Sequence, residues 1–388
     1  MKILQIFDFF SPHGGGTVDL VYRLSRALAK RGHEITIYTS DYKLDLEYIN
    51  SLPEVNVRLF HCISSLAGFY LMPGMVMETR RRLRDFDIIH LHSARSFQNI
   101  VIHHYAKKYG IPYVLDTHGS LPRAVTGEGM LKPMLKRQFD IAFGKRILRD
   151  AHRLIAETEV GVKEYIQFGA SEDNVTLIPP PFDTEWFSKL PPSGLFRKKY
   201  GISEKKIVMF LGRINRIKGL SFLLESFNEL SKLRDNAILV IVGNDDGYQS
   251  TLESEMAELN LSDKVLLTGF LGGQDKLSAL VDADVFVQTS VYEQGAWAPF
   301  EAVLCDTPII VSSNSGAGED VKKIDAGYLV EYGNRSDLRD KIQYVLDNPI
   351  EAAEKTRKAK EYLKANRSFA KEVEQYEDLY KEIVEECS

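Results

Sequence analysis

Apolar residues in this chain come in two spacings that alternate along its length. Short runs such as "KILQIF" (2–7), "EITIYT" (34–39), "NVRLFH" (56–61), "DIIHLH" (87–92), "PYVLDT" (112–117) and "RLIAET" (153–158) have the length and composition of strands. Amphipathic stretches lie between them. In "VDLVYRLSRALAKRG" the apolar positions Val18, Val21, Leu24 and Leu28 recur at helical spacing, and Gly32 stands where a left-handed cap ends a helix. Repeats of this kind predict a parallel sheet with right-handed crossovers. "LIPPPFD" (177–183) interrupts the pattern, because three consecutive prolines continue neither a helix nor a central strand. The alternation then restarts with "KIVMFLG" (206–212), "AILVIVG" (237–243), "KVLLTG" (264–269), "DVFVQT" (284–289), "TPIIVS" (307–312) and "GYLVEY" (327–332), and from Ser336 onward the chain reads as charged helix. The expected fold class is α/β: two doubly wound domains, 1–180 and 181–365, joined by a stiff linker. Ligands of such sheets sit at the carboxyl ends of strands, so the expected site is the cleft between the domains.

Composition narrows the function. At 388 residues the chain exceeds one ordinary hydrophobic core, and 44% apolar with 27% charged residues is the balance of a globular protein. Of the 49 basic and 54 acidic residues, 23 and 19 lie at or before Phe182, so the first part is net positive and the remainder net negative. All nine histidines fall between His13 and His152. Two domains with separate ligands fit that asymmetry, and neither is basic enough to argue for nucleic acid. No segment has the apolar length of a membrane span, and the N-terminal run lacks a cleavage-type signal, so the expected location is the cytosol. Cys62, Cys305 and Cys387 have no metal-type spacing and read as free thiols.

Three stretches at strand ends carry candidate chemistry. "HGGG" (13–16) precedes the first helix; its glycines either bring backbone N–H groups close to a phosphate or sugar, or form a turn that needs positive φ. "LGRINRIKGL" (211–220) sets Arg213, Arg216 and Lys218 between a strand and a helix. Arg213 and Lys218 suit a diphosphate whose charge grows as its bond to a sugar breaks, whereas Arg216 reads as solvated. "YEQGAWAPFEAVL" (292–304) places Glu293 and Glu301 seven residues apart after a strand. Paired carboxylates serve glycoside hydrolysis or accept hydrogen bonds from sugar and ribose hydroxyls.

The ordered set "PHGGG…LSRALAKRGHEITIYT", "DIIHLHS", "LDTHGS", "IPPPFDTEWF", "LGRINRIKG", "ADVFVQTS", the E-x7-E stretch and "TPIIVS" resembles the retaining glycosyltransferases of family 4 over nearly the full length. That resemblance implies a GT-B architecture of two Rossmann-like domains facing across a cleft, with a C-terminal helix, 366–388, packing back towards the first. It implies that Arg213 and Lys218 hold the donor diphosphate, that Glu301 takes the ribose hydroxyls and that Glu293 lies near the transferred sugar. Gly15 and Gly16 would offer N–H groups to the phosphates, His118 would sit on the sugar's reactive face, and backbone groups near Phe270 and Leu271 would contact the base. The implied reaction is sugar transfer from a UDP- or GDP-sugar to a carbohydrate or lipid-linked acceptor, with no metal and no cofactor. A nucleotide-sugar epimerase and a non-catalytic nucleotide-sugar-binding protein are the alternatives. The chain departs from the family pattern at Ala296, where a glycine is usual, and at Pro180–Pro181, where Asn-Gly is usual.

Outside these motifs, His90 and His92 alternate on one strand and so face the same side; structural or cleft roles are expected over metal binding. Asp116 stands with His118 at a strand end. "MLKPMLKRQFDIAFGKRILRD" (130–150) mixes apolar residues with six cations. It reads either as a domain helix with a solvated basic face or as a helix lying on an anionic membrane, which would suit a peripheral protein with a lipid-linked acceptor.

Overall fold

The computed structural model of this chain describes residues 1–66, 69–122, 131–180, 182–295 and 297–387. They form two units: the chain up to residue 180 together with the helix Phe369–Cys387, and the chain from Phe182 to Ser368.

The first unit contains β1 (Lys2–Phe9), β2 (Glu34–Ser40), β3 (Val55–Phe60), a short hairpin of β4 (Ser64–Leu66) and β5 (Phe69–Leu71), then β6 (Ile88–His92), β7 (Tyr113–Asp116), β8 (Arg153–Ala156) and β9 (Val175–Leu177). Its main sheet has the order β3-β2-β1-β6-β7-β8-β9, parallel throughout. The second unit contains β10 (Lys206–Leu211), β11 (Ala237–Val242), β12 (Val265–Gly269), β13 (Val285–Gln288), β14 (Ile309–Ser312) and β15 (Tyr328–Val330), in the order β12-β11-β10-β13-β14-β15 and again parallel. In each sheet the chain winds outward from its first strand, returns, and winds the other way. The reversal opens a crevice at the carboxyl ends of β1 and β6, and of β10 and β13, where doubly wound sheets bind ligands.

Period-two alternation explains why the strands are apolar runs. Ile3 and Phe7 of β1 join one core with Val18, Val21, Leu24 and Leu28 of the helix Gly16–Lys30, while Leu4 and Ile6 join another on the opposite face. On β10, Ile207 and Met209 face one core, and Val208 and Phe210 face the other with Leu220, Leu223 and Phe227. Both faces are covered, as parallel sheets require. The helix Phe369–Cys387 adds Val373, Tyr376, Tyr380 and Ile383, a stripe at helical spacing, to the core that holds Ile3. Its Glu377 accepts from Arg31 at 2.7 Å and His33 at 3.1 Å.

Two features differ from the sequence expectation. β9 and the β4–β5 hairpin were not expected, since each strand has only three residues. From Leu131 the basic segment is helical to Phe139, passes through a π turn at Asp140–Gly144, and resumes as helix at Lys145–Arg149. Of the prolines read as a linker, Pro181 lies outside the described residues.

Candidate active site

In the first unit, β1 runs into a short 3-10 turn, Pro12–Gly14, and then into the helix that starts at Gly16. Gly15 between them has φ 79° and ψ −159°, a conformation essentially reserved for glycine. A Cβ on Gly14 would lie 2.2 Å from Val18 Cγ2. The glycine run is therefore required by the turn itself, and Gly15 and Gly16 stand at the N-terminus of a 15-residue helix.

Three neighbouring strand ends converge beside it. His92 ends β6, Asp116 ends β7, His118 follows with φ 45°, and Glu157 follows β8. His118 Nδ1 is 2.8 Å from Glu157 Oε1 and 3.3 Å from Asp116 Oδ1, and its backbone N–H donates to Asp116 Oδ1 at 2.9 Å. That last bond offsets the left-handed backbone of a non-glycine residue. His118 Nε2 is 2.8 Å from His92 Nδ1, and His92 Nε2 is 2.7 Å from Gln5 Oε1. His90, beneath His92 with ring centroids 4.0 Å apart, binds the Tyr380 hydroxyl through Nδ1 at 2.7 Å. Burial, and then the neighbouring histidines, hold His92 well below the usual imidazole range, and His90 likewise. Burial also works against a charge on His118, but Asp116 and Glu157 outweigh it and raise its pKa. Burial pushes Asp116 up to about 7, with Glu157 adding to the rise and His118 opposing it.

Asp116, His118 and Glu157 present ligand atoms within 4.8 Å of one another, the spacing of a group able to hold a metal ion. In this structure His118 and Glu157, 2.8 Å apart, share a hydrogen bond, while His118 and Asp116 stand 3.3 Å apart.

In the second unit, β10 leads into Arg213, a 3-10 turn at Arg216–Lys218 and the helix Leu220–Leu233. Gly219 links turn and helix at φ 66°, and a Cβ there would meet Thr289 O at 2.1 Å, so only glycine lets this turn lie against the end of β13. The approach brings Lys218 onto the loop after β13. Lys218 Nζ binds both oxygens of Glu293, at 2.9 and 2.7 Å, and the pair is mostly buried, with side chains 16% and 17% exposed. Ser290 Oγ and Gln288 Nε2 also donate to Glu293 Oε2, at 2.9 and 3.2 Å. The amide of Gly316, at the start of the helix Gly316–Ile324, donates to the Glu293 carbonyl at 2.6 Å, and a Cβ on Gly316 would strike Gln294 O at 1.6 Å.

The other sequence candidates have different partners. Glu301, on the helix Ala298–Leu304, is held by Lys276 at 2.7 Å. Arg213 is half-exposed and bound to Asp246 at 2.7 Å, with Asn215 donating to the same carboxylate. Phe270 is exposed and Leu271 is buried in the core. Ala296 lies outside the described residues. The structure thus joins Lys218 to Glu293, which the sequence had given separate roles, and places Arg213 and Glu301 each beside a partner that sequence reasoning missed. Glu157, Lys276, Asp246 and Gln5 were all overlooked. Glu157 alone carried a readable signal, because it directly follows "RLIA" at a strand end, as Thr117 and then His118 follow "YVLD".

Two parallel doubly wound units, each with a crevice at the reversal of its sheet, are the architecture of the GT-B class. The family described as Glycosyltransferase Family 4 matches residues 14–186, and Glycosyl transferases group 1 matches residues 193–364. Between them these matches take in most of both units, and the chain belongs to glycosyltransferase family 4. It is 26% identical over 381 residues to the N-acetyl-alpha-D-glucosaminyl L-malate synthase of Bacillus anthracis, covering 96% of this chain and 95% of that protein. It is 24% identical over 361 residues to the D-inositol 3-phosphate glycosyltransferase of Acidothermus cellulolyticus, covering 87% and 79%. Among solved structures, Anabaena HepE in complex with UDP and glucose superposes with a TM-score of 0.80 at 18% identity, covering 98% of this chain and all of that one. WaaG, a glycosyltransferase of lipopolysaccharide biosynthesis, superposes with a TM-score of 0.77 at 15% identity, covering 97% and 99%.

Proposed function

We propose that this glycosyltransferase moves a sugar from a UDP-sugar, with GDP-sugars as the competing donors, to a hydroxyl of a carbohydrate or lipid-linked acceptor. In this reading the anomeric configuration is retained and no divalent metal takes part. The observation that carries it is the buried Lys218–Glu293 pair at the reversal of the second sheet. A diphosphate there exchanges partners with the protein: Lys218 passes from Glu293 to phosphate, and Arg213 passes from Asp246. The released Glu293 carboxylate, still held at Oε2 by Ser290 and Gln288, accepts hydroxyls of the sugar. As the glycosidic bond lengthens, negative charge moves onto the leaving phosphate, and fixed cations stabilise that state more than the bound donor. Glu301, oriented by Lys276, takes the ribose hydroxyls, and backbone groups at Phe270 and Leu271 meet the base. Gly15 and Gly16 supply N–H groups to the phosphates, and His118 serves the sugar. Such cations do the work that a metal does elsewhere.

Support for UDP comes from relatives of the same fold, such as HepE, whose complex holds UDP and glucose. The test is a panel of UDP-, GDP- and ADP-sugars, read first by thermal shift and then by release of the nucleoside diphosphate. UDP-sugars should raise the melting temperature most, since tight binding stabilises by mass action. A shift without release of UDP in the presence of acceptors would favour the binding-only alternative, and a changed sugar on intact UDP would favour the epimerase.

The basic segment supports a membrane-facing acceptor. Met134, Leu135, Ile141 and Phe143 are 51%, 49%, 63% and 42% exposed, interleaved with exposed Arg137, Lys145 and Arg146. Apolar side chains among cations match the headgroup layer of an anionic bilayer. Among the described residues no helix is long and apolar enough to cross a membrane. Peripheral attachment on the cytoplasmic side fits both observations. Ile141→Ser with Phe143→Ser should cut co-sedimentation with anionic vesicles, and equal sedimentation of the variant and the wild type would remove this part of the reading.

A further inference from the structure

Hydrogen-bond accounting across the strand ends of the first unit fixes where the protons lie. His92 is fully buried and neutral, so it carries one N–H. Its Nε2 faces the Gln5 carbonyl oxygen, an acceptor, at 2.7 Å, and with the Gln5 amide in this orientation the proton is on Nε2 and Nδ1 is bare. The 2.8 Å contact from His92 Nδ1 to His118 Nε2 therefore needs a proton on His118 Nε2. On the other side of the ring, His118 Nδ1 stands 2.8 Å from Glu157 Oε1, and a carboxylate oxygen only accepts. Both ring nitrogens of His118 then carry protons, and both point at partners within the same unit.

We propose that Glu157 and His92 are positioning residues that hold His118 as a fixed imidazolium, so that His118 serves sugar transfer as an immobile charged edge and never as a proton acceptor. The proposal rests on the transferase reading for its catalytic consequence, and on the hydrogen-bond geometry with the buried, neutral His92 for the proton placement. The set Asp116, His118 and Glu157 carries one positive and two negative charges when both carboxyls are ionised, a net of one negative charge. Burial pushes the Asp116 carboxyl up to about 7, and once Asp116 ionises the anionic set suits a transition state in which the sugar carbon gains positive character.

Every neighbouring element contributes to the balance. Asp116 comes from the same strand end, Glu157 from the end of β8, and His92 and His90 from β6. From the helix Glu159–Phe168, the Tyr165 hydroxyl accepts the Thr117 N–H at 3.0 Å. From the C-terminal helix, Tyr376 and Tyr380 are buried against the histidines. Among the described residues, the charges that raise the His118 pKa are those of Asp116 and Glu157, and removing one of them should discharge the imidazolium. His92 works differently: with its only proton turned to Gln5, it leaves a bare nitrogen that His118 must donate to.

The test reads the proton directly. Protein labelled with 15N at histidine, with the His118 signals identified by their loss in His118→Gln, reports the protonation of each ring nitrogen in the free enzyme. Expected at pH 7 is a His118 with both nitrogens protonated and a His92 protonated only on Nε2. In Glu157→Gln, an isosteric change that removes the charge, His118 should become neutral at pH 7. Turnover should then fall on the order of 10²-fold while donor affinity stays within about twofold. Glu157→Asp should restore part of both signals. A wild-type His118 with a single ring proton, or a Glu157→Gln enzyme with the imidazolium and turnover unchanged, overturns the proposal. The ring signals need neither donor nor acceptor, so a failure of the transferase reading would show in the donor panel and leave the proton placement standing.

Discussion

At the scale of single residues, the candidate site is built from charges that already have partners. Lys218 neutralises Glu293, Lys276 neutralises Glu301 and Arg213 neutralises Asp246. A ligand gains only the difference between its own contacts and those it replaces, and the difference is largest where the charge grows during reaction. Lys218→Ala should therefore lower turnover by about 10²- to 10³-fold, equivalent to roughly 2.7–4 kcal/mol of transition-state stabilisation. Its melting temperature should change little, since Glu293 keeps Ser290 and Gln288. Steady-state kinetics beside a thermal melt will decide, and wild-type turnover in the variant would remove Lys218 from the site. Asp8, near the end of β1, gives a second residue-scale prediction. Burial pushes its carboxyl from 3.8 up to about 7. The folded chain thus keeps a proton that the unfolded chain loses, so stability falls as pH rises through that window and the whole penalty is present above 7. Asp8→Asn should raise the melting temperature at pH 8 and leave it nearly unchanged near pH 4. An equal effect at both values would show that Asp8 titrates normally.

At the scale of elements, the strands were legible because parallel strands covered on both faces must be apolar runs. The helix Gly16–Lys30 was legible from four positions and its Gly32 cap, which has φ 91°. What could not be read was the consequence of turns. Nothing in "RINRIKG" states that Gly219 lies against Thr289 O, yet that approach delivers Lys218 to Glu293. The same holds for His118, whose two ring partners come from strands 26 and 39 residues away in the chain. The strand-end position of Glu157 was readable, but its role was not, because a strand-end carboxylate looks like any solvated one until its neighbours are known. Close approach at Gly219 yields a contrast that can be measured. Gly219→Ala must push the backbone of two turns apart and should lower both thermal stability and donor affinity. Gly32→Ala, with nothing within 4 Å of the new Cβ, should cost only the left-handed strain of about 1–2 kcal/mol. Equal losses in the two variants would mean that packing at Gly219 is not tight.

At the scale of the whole molecule, the two units carry different chemistry: paired cations and glutamates in one, a buried histidine network and a glycine turn in the other. Donor affinity should reside mainly with the former. Calorimetry on His118→Ala should find donor binding close to wild type with transfer much reduced, and loss of binding in that variant would contradict the division. A diphosphate held by Lys218 and Arg213 also predicts that transfer survives EDTA, and activity abolished by chelation and restored by magnesium or manganese would overturn it. The central claim, retention in transfer from a nucleotide sugar, is tested most directly by following one reaction by NMR. The enzyme, an α-linked UDP-hexose and an acceptor are mixed, and the anomeric proton of the new glycoside is observed as UDP appears. The predicted result is an α-linked product formed in step with UDP by the wild type and lost in Lys218→Ala. A β-linked product, or UDP-hexose left intact with every acceptor, would contradict it.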